Sequence, residues 1–160
     1  MNQINVLFVC LGNICRSPMA EGIFKEVVKR EGVERHFNID SAGTSTYHIG
    51  ENPDKRAVDT CEKKGIILRH KGKEFKAVDL QSQHYILAMD KSNLDNISRL
   101  FSQAPYTANV LLMRDFDKEF KGQDVPDPYY GGMDGFSDVF EMLERSSYEL
   151  LHYIRSEHSI

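Results

Sequence analysis

The chain has 160 residues, 24 acidic and 20 basic, for a net charge of −4. That balance leaves no basic excess for neutralising a phosphate backbone, so the composition excludes a nucleic-acid partner. No apolar run reaches membrane-spanning length, and three cysteines make no secreted disulfide framework.

Apolar residues make up 41% and charged residues 28%, an ordinary globular balance. A chain of this length buries about two-thirds of its unfolded surface and is expected to form one domain over residues 1–160. The first residues lack the basic start and cleavage site of a signal peptide. The expectation is a cytoplasmic protein with reduced thiols and no membrane partner.

Residues 4–10 are an apolar, β-prone run and predict the first strand. Leu11 to Cys15 form a short loop. A helix is expected over about 18–30, because Met19, Ile23 and Val27 recur at every fourth position beside Ala20, Phe24 and Val28. Ser17-Pro18 reads as its N-cap followed by proline at the first helical position. Phe37 to Asp40 predicts a second strand that ends in Ser41-Ala42-Gly43. Asn52-Pro53 caps a helix through about Lys64, which Gly65 ends.

Tyr85 to Met89 is a nearly unbroken apolar strand, as in a parallel sheet covered on both faces. Asp90 caps the next helix, which carries Leu94, Ile97, Leu100 and Phe101 on its apolar side. Val110 to Met113 is the fourth strand. A polar loop with Pro126 and Pro128 leads to a last helix over about Asp134–Arg155. Alternation of this kind implies right-handed crossovers and an α/β fold, a doubly wound parallel sheet with helices on both faces. Ligands of such folds sit beyond the carboxyl ends of the strands, where Cys10, Ser41 and Asp90 fall.

Cys10 and Arg16 thus stand at the two ends of one tight loop between a strand and a helix. Gly12 and Asn13 tolerate the left-handed backbone angles such a loop requires. Backbone N–H groups at a helix start form an anion site, and the same field favours an anionic sulfur. Arg16 adds a planar fork matched to two phosphate oxygens. The pattern reads as a nucleophile at the bottom of a phosphate cradle.

Several stretches in order resemble the low-molecular-weight protein tyrosine phosphatase family: residues 9–21, Asp40-Ser41-Ala42-Gly43-Thr44, residues 52–57, Met89 to Asn93, and Asp127-Pro128-Tyr129-Tyr130. The resemblance covers essentially the whole chain. It implies a four-stranded parallel sheet, no metal, no cofactor, and hydrolysis of phosphotyrosine in proteins and of small aryl phosphates through a phosphocysteine. Inorganic phosphate is then the product. It further implies that Cys10 is the nucleophile, that Arg16 grips the phosphoryl oxygens, and that Asp127 is the general acid on a mobile loop. Leu11, Gly12, Asn13, Ile14 and Cys15 line the phosphate site. Ser17 resembles the hydroxyl that bonds the thiolate and eases its departure, and Asn13, Ser41 and His70 resemble residues that support the loop. Tyr129 and Tyr130 resemble an aromatic wall, and Tyr47 a rim residue facing substrate.

Elementary chemistry agrees with these roles. Phosphoryl transfer depends on positioning and on charge stabilisation at the equatorial oxygens, which Arg16 and N–H groups provide without magnesium. A departing phenolate, with a phenol pKa of about 10, gains from protonation. Pro126 and Pro128 restrict the backbone around Asp127.

Other readings stay open at this level. Asp115, Asp117, Glu119 and Asp124 suggest a calcium loop, but the EF-hand positions for glycine and glutamate hold Phe120 and Pro126, so a solvated acidic loop is expected. Asp124 remains a rival to Asp127 as the acid. The six histidines lack metal spacing. The lysines from Lys71 to Lys76 read as a solvated turn, and Cys61 as a packing residue. Cys15 shares the loop with the reactive sulfur and is a candidate redox partner. An arsenate reductase would need further cysteines, which Leu80 to Asp90 lacks. A protein-arginine phosphatase of the same family typically carries threonine where this chain has Ile14. A phosphopeptide-binding module would need neither thiolate nor acid.

Overall fold

A computed structural model describes residues 2–103 and 105–160. Four strands, β1 (Ile4–Cys10), β2 (Phe37–Gly43), β3 (Tyr85–Ala88) and β4 (Asn109–Leu112), alternate with helices α1 (Arg16–Arg30), α2 (Lys55–Glu62), the single turn α3 (Asp79–Ser82), α4 (Lys91–Leu100) and α5 (Met133–His158). All strand pairs are parallel, in the order β2-β1-β3-β4. The chain runs from β1 to one neighbour and later returns on the other side, so the sheet's switch point lies at the carboxyl end of β1. Cys10 is the last residue of that strand, level with Gly43 of β2.

The period-2 geometry of β1 divides its side chains between two cores. Ile4, Val6, Phe8 and Cys10 face a cluster with residues of α1 and α5, including Phe24, Val27, Phe140 and Ile154. Leu7 and Val9 face the opposite cluster, with Phe75, Leu80, Ile86 and Ile97. Phe8 meets Phe24 edge-on at 5.6 Å, and Phe24 meets Phe37 at the same separation. Each such side chain contributes about 1.5–3 kcal/mol on full burial. With both faces covered, β1 is rigid where it delivers Cys10. No described helix is long and apolar enough to cross a membrane.

Several boundaries differ from the sequence reading. Helix α1 starts two residues early, at Arg16, with Cys15 in the N-cap position and no side-chain cap. Ser17 is therefore not a cap, because its hydroxyl is used elsewhere. Helix α2 is capped by Asp54, whose carboxylate accepts the Arg56 N–H, and not by Asn52. Strand β2 continues through Ser41 to Gly43. Leu100 is 59% exposed, off the buried side of α4.

Asp117 overturns the expectation of a wholly solvated acidic loop. It is buried, and its carboxylate accepts from Arg114 and, with both oxygens, from Arg145. Two arginines distant or hidden in the linear pattern thus draw it inward. Cys61 packs as expected, and burial pushes its thiol up to about 12.

Candidate active site

The loop between β1 and α1 turns on Asn13, whose φ of 57° lies in the left-handed region. Its backbone N–H points back at Cys10 Sγ, 3.3 Å away, and Ser17 Oγ lies 2.9 Å from the same sulfur. The N–H groups of Ile14, Cys15, Arg16 and Ser17 meet no protein acceptor among the described residues. They are the orphan donors of a helix start and of the turn before it, concentrated around one sulfur.

The orientation of the Asn13 amide is fixed by a backbone donor. Lys73 N–H bonds Oδ1 at 3.0 Å, so Nδ2 must point the other way, to Ser17 Oγ at 2.8 Å and Ser41 Oγ at 3.1 Å. With Ser17 accepting from Asn13, its hydroxyl proton is left for Cys10 Sγ. The same logic makes His70 Nε2 the donor to Asn13 Oδ1 at 2.7 Å, and Ser41 Oγ the donor to Glu21 Oε1 at 2.6 Å. The network around the loop is thereby directed as well as satisfied.

Glu21 closes it, lying 3.1 Å from His70 Nδ1 and 2.7 Å from Lys25 Nζ. Burial alone would raise the Glu21 carboxyl, but hydrogen bonds from His70, Lys25 and Ser41 outweigh it and hold the group below its usual range. Glu21, Asp40 and His70 come close enough to share a cation. Their charges are already answered, however, by Lys25 on Glu21 and Lys73 on Asp40. The Lys71–Lys76 segment is thus more than a solvated turn. Gly43 allows β2 to approach this closely, since a Cβ there would stand 2.8 Å from the Leu11 carbonyl.

Arg16 is buried beside the sulfur. Its Nη1 donates to Asp90 Oδ2 at 2.6 Å and to the Val125 carbonyl at 2.9 Å, while Nη2 lies 3.8 Å from Asp127. Burial alone would lower its basicity; the charges of Cys10, Asp90 and Asp127 and the Asp90 hydrogen bond more than offset that, so the guanidinium stays cationic. Asp127 itself is partly exposed and accepts from the Tyr129 N–H at 3.0 Å. Asp124 points elsewhere, toward the first N–H of α4 at Lys91, 3.0 Å away.

These groups border one cavity of about 270 Å³ lined by Cys10 through Arg16, Tyr47, Asp127, Tyr129 and Tyr130. Every sequence-predicted contact residue reaches it except Ser17, which sits beneath the sulfur, with Ser41 and His70 behind the loop. Ser45 and His48 also line it and were not foreseen. They lie on the irregular segment after β2, where no spacing signal marks them. Glu21 was visible only as a member of a matching stretch, and Asp90 as a helix cap at the carboxyl end of a strand with no role toward Arg16 assigned.

A sulfur beneath unpaired N–H donors, with a buried guanidinium alongside, is the layout of a cysteine-dependent phosphatase. A family profile described as low molecular weight phosphotyrosine protein phosphatase matches residues 5–159, and the chain belongs to that family. It is 44% identical to the low molecular weight phosphotyrosine protein phosphatase of Schizosaccharomyces pombe, over 95% of this chain and 97% of the relative. The protein tyrosine phosphatase of Entamoeba histolytica superposes with a TM-score of 0.87 at 34% identity, covering 98% of this chain and 99% of the other. A drosophila arginine phosphatase superposes at 0.84 with 32% identity, covering 94% and 97%.

Proposed function

We propose that the protein hydrolyses phosphotyrosine in protein substrates, and small aryl phosphates, through a covalent phosphocysteine. The phosphate dianion sits on the free N–H groups of the loop and on Arg16. Cys10 Sγ attacks phosphorus in line with the ester oxygen. As the P–O bond breaks, Asp127 gives its proton to the phenolate, and the phenol leaves. The Asp127 carboxylate then takes a proton from water, whose oxygen attacks the phosphocysteine. Sulfur leaves with its charge met by the Ser17 hydroxyl, and inorganic phosphate departs.

The observation that carries this reading is the pair of donors aimed at Cys10 Sγ, Ser17 Oγ at 2.9 Å and the Asn13 N–H at 3.3 Å. A pure phosphate-binding module gains nothing from stabilising charge on sulfur. Cys15 faces the same cavity, and we read it as the resolving thiol when Cys10 is oxidised. The test is para-nitrophenyl phosphate turnover in EDTA. Wild type is expected to be active, and Cys10→Ser to lose turnover while keeping its fold and its affinity for inorganic phosphate. Appreciable turnover by Cys10→Ser would defeat the covalent mechanism. The likeness to an arginine phosphatase favours phosphoarginine as the second substrate to compare.

A further inference from the structure

We infer that Arg56 is a positioning residue that holds the Asp127 turn in register with the phosphate loop. The inference rests on the reading of Asp127 as the acid.

Arg56 is the second residue of α2, where the helix field disfavours a cation. Its surroundings compensate. Asp54 Oδ1 accepts from Nε at 3.0 Å and Oδ2 from Nη2 at 3.0 Å, a two-point fork. The remaining donors reach across to the segment after Asp127. Nη2 bonds the Tyr129 carbonyl at 3.0 Å, and Nη1 the Gly131 carbonyl at 3.1 Å. The guanidinium also lies over the Tyr129 ring at 5.4 Å and the Phe136 ring at 4.7 Å. Asp54, meanwhile, donates its own N–H to the Ile14 carbonyl in the phosphate loop at 2.8 Å. One helix start therefore grips both halves of the site.

The other end of the turn is held separately. Val125 N–H bonds the Met89 carbonyl at 2.8 Å, and its carbonyl takes Arg16. The Asp124 carbonyl takes Arg114 at 2.8 Å. Between these anchors run Pro126, Asp127 and Pro128, and the prolines have no N–H with which to anchor themselves. Downstream of Asp127, Arg56 is the only side-chain donor that reaches the backbone of residues 128–132 among the described residues; the other outside contact is the first turn of α5, where the Gly135 N–H bonds the Gly132 carbonyl. Without it, no side chain holds the backbone just after Asp127, and the turn keeps only its upstream anchors at Asp124 and Val125 and the start of α5.

The test compares kcat/KM for phenyl phosphate, whose leaving group needs a proton, with that for an activated nitrophenyl ester, which needs it less. Arg56→Ala is expected to lose about 10-fold or more on phenyl phosphate, part of the 10²–10⁴ that a placed acid supplies, and far less on the activated ester. Arg56→Lys keeps a cation beside Asp54 for folding. It should show the same selective loss, because a point ammonium cannot serve the fork and two carbonyls. In an Asp127→Asn background, Arg56→Ala should add little, as expected of two residues acting through one step. Equal losses on both esters, full additivity with Asp127→Asn, or a wild-type Arg56→Lys would each overturn the inference. If Asp127→Asn alone shows no leaving-group dependence, the acid assignment itself fails, an outcome distinct from these.

Discussion

Asp90 binds Arg16 through one carboxylate oxygen, Oδ2 at 2.6 Å, and starts helix α4 through the other, which accepts the Asn93 N–H at 2.7 Å. Asn93 returns the bond to the Asp90 N–H, completing a capping box. One side chain thus aims the guanidinium and fixes the helix that follows β3.

The two duties separate by substitution. Asparagine caps a helix about as well as aspartate but carries no charge, so Asp90→Asn should keep the cap and lose only the pairing of buried Arg16. Its kcat/KM should still fall about 10- to 100-fold as Arg16 loses its aim. Asp90→Ala should show that loss and also about 1 kcal/mol of lost stability. Unchanged kinetics in Asp90→Asn would release Arg16 from this dependence.

The acid assignment divides Asp127 from Asp124. Lys91 engages Asp124 Oδ1 through its backbone N–H and its ammonium, whereas Asp127 faces the cavity. Asp127→Asn should slow phosphorylation of the enzyme most with poor leaving groups, and Asp124→Asn should leave rates within about 2-fold, as surface changes usually do. Measured leaving-group series that exchange these outcomes would move the role to Asp124.

The loop around Cys10 was legible in the sequence because its parts are neighbours: strand, cysteine, left-handed Asn13, arginine and helix lie within thirteen residues, 4–16. The parallel sheet was legible from apolar runs such as Tyr85–Met89. The Asn13 amide, by contrast, is fixed by Lys73, 60 positions away, and Arg56 reaches 75 positions to Gly131. Such pairings leave no periodic trace. Ser17 misled because a serine before a proline matches a cap, while tertiary demand from Cys10 Sγ claimed its hydroxyl. Asp117 misled because a charge inside an acidic run looks solvated until Arg145 of α5 folds over it.

Asp117 supports a stability prediction. Burial alone would raise its carboxyl, but hydrogen bonds from Arg145, the Glu119 N–H, Arg114 and the Phe120 N–H outweigh it and depress the group far below the usual range. A carboxyl depressed by folding contributes its full stabilisation above the unfolded value, about 4, and loses it as the pH falls toward the folded value. Asp117→Ala, which removes the buried carboxylate shared by Arg114 and Arg145 and leaves Arg145 only Glu119, should cost about 3–5 kcal/mol at pH 7. Urea unfolding should find the gap to wild type narrower at pH 3. A gap that widens on acidification would contradict the depressed carboxyl.

Cys15 sits in the loop with Cys10 and is nearly buried. Burial, with Asp54, Cys10 and Asp127 adding to it, pushes its thiol well above the ordinary range, so it stays protonated beside the reactive sulfur. Peroxide should oxidise Cys10 to the sulfenic acid with release of water. Attack by Cys15 then forms the S–S bond and releases the sulfenic oxygen as a second water. Activity lost to mild peroxide should return with dithiothreitol in wild type and not in Cys15→Ser, which over-oxidises. Mass spectrometry finding no Cys10–Cys15 bond would end this reading.

Ile14 is where the proposed substrate choice can be tested. It lines the cavity together with Tyr129 and Tyr130, whose rings meet edge-on at 5.1 Å, and Tyr47 stands 85% exposed at the rim. Its branched apolar side chain would pack against a phenyl ring held beside those tyrosines. A phosphoarginine would bring a planar, polar guanidinium into the same slot. Its N–H groups would lose water without gaining an acceptor from Ile14, at a cost of about 1–3 kcal/mol for each group left unpaired. Threonine at this position supplies an oxygen and less bulk. Wild type should therefore prefer phosphotyrosine over phosphoarginine on matched peptides by about 10-fold or more in kcat/KM, following from one such unpaired group. Ile14→Thr should narrow the ratio by raising the phosphoarginine rate. A higher kcat/KM for phosphoarginine in the unmutated protein would refute the preference, and it would do so without touching the shared phosphocysteine chemistry.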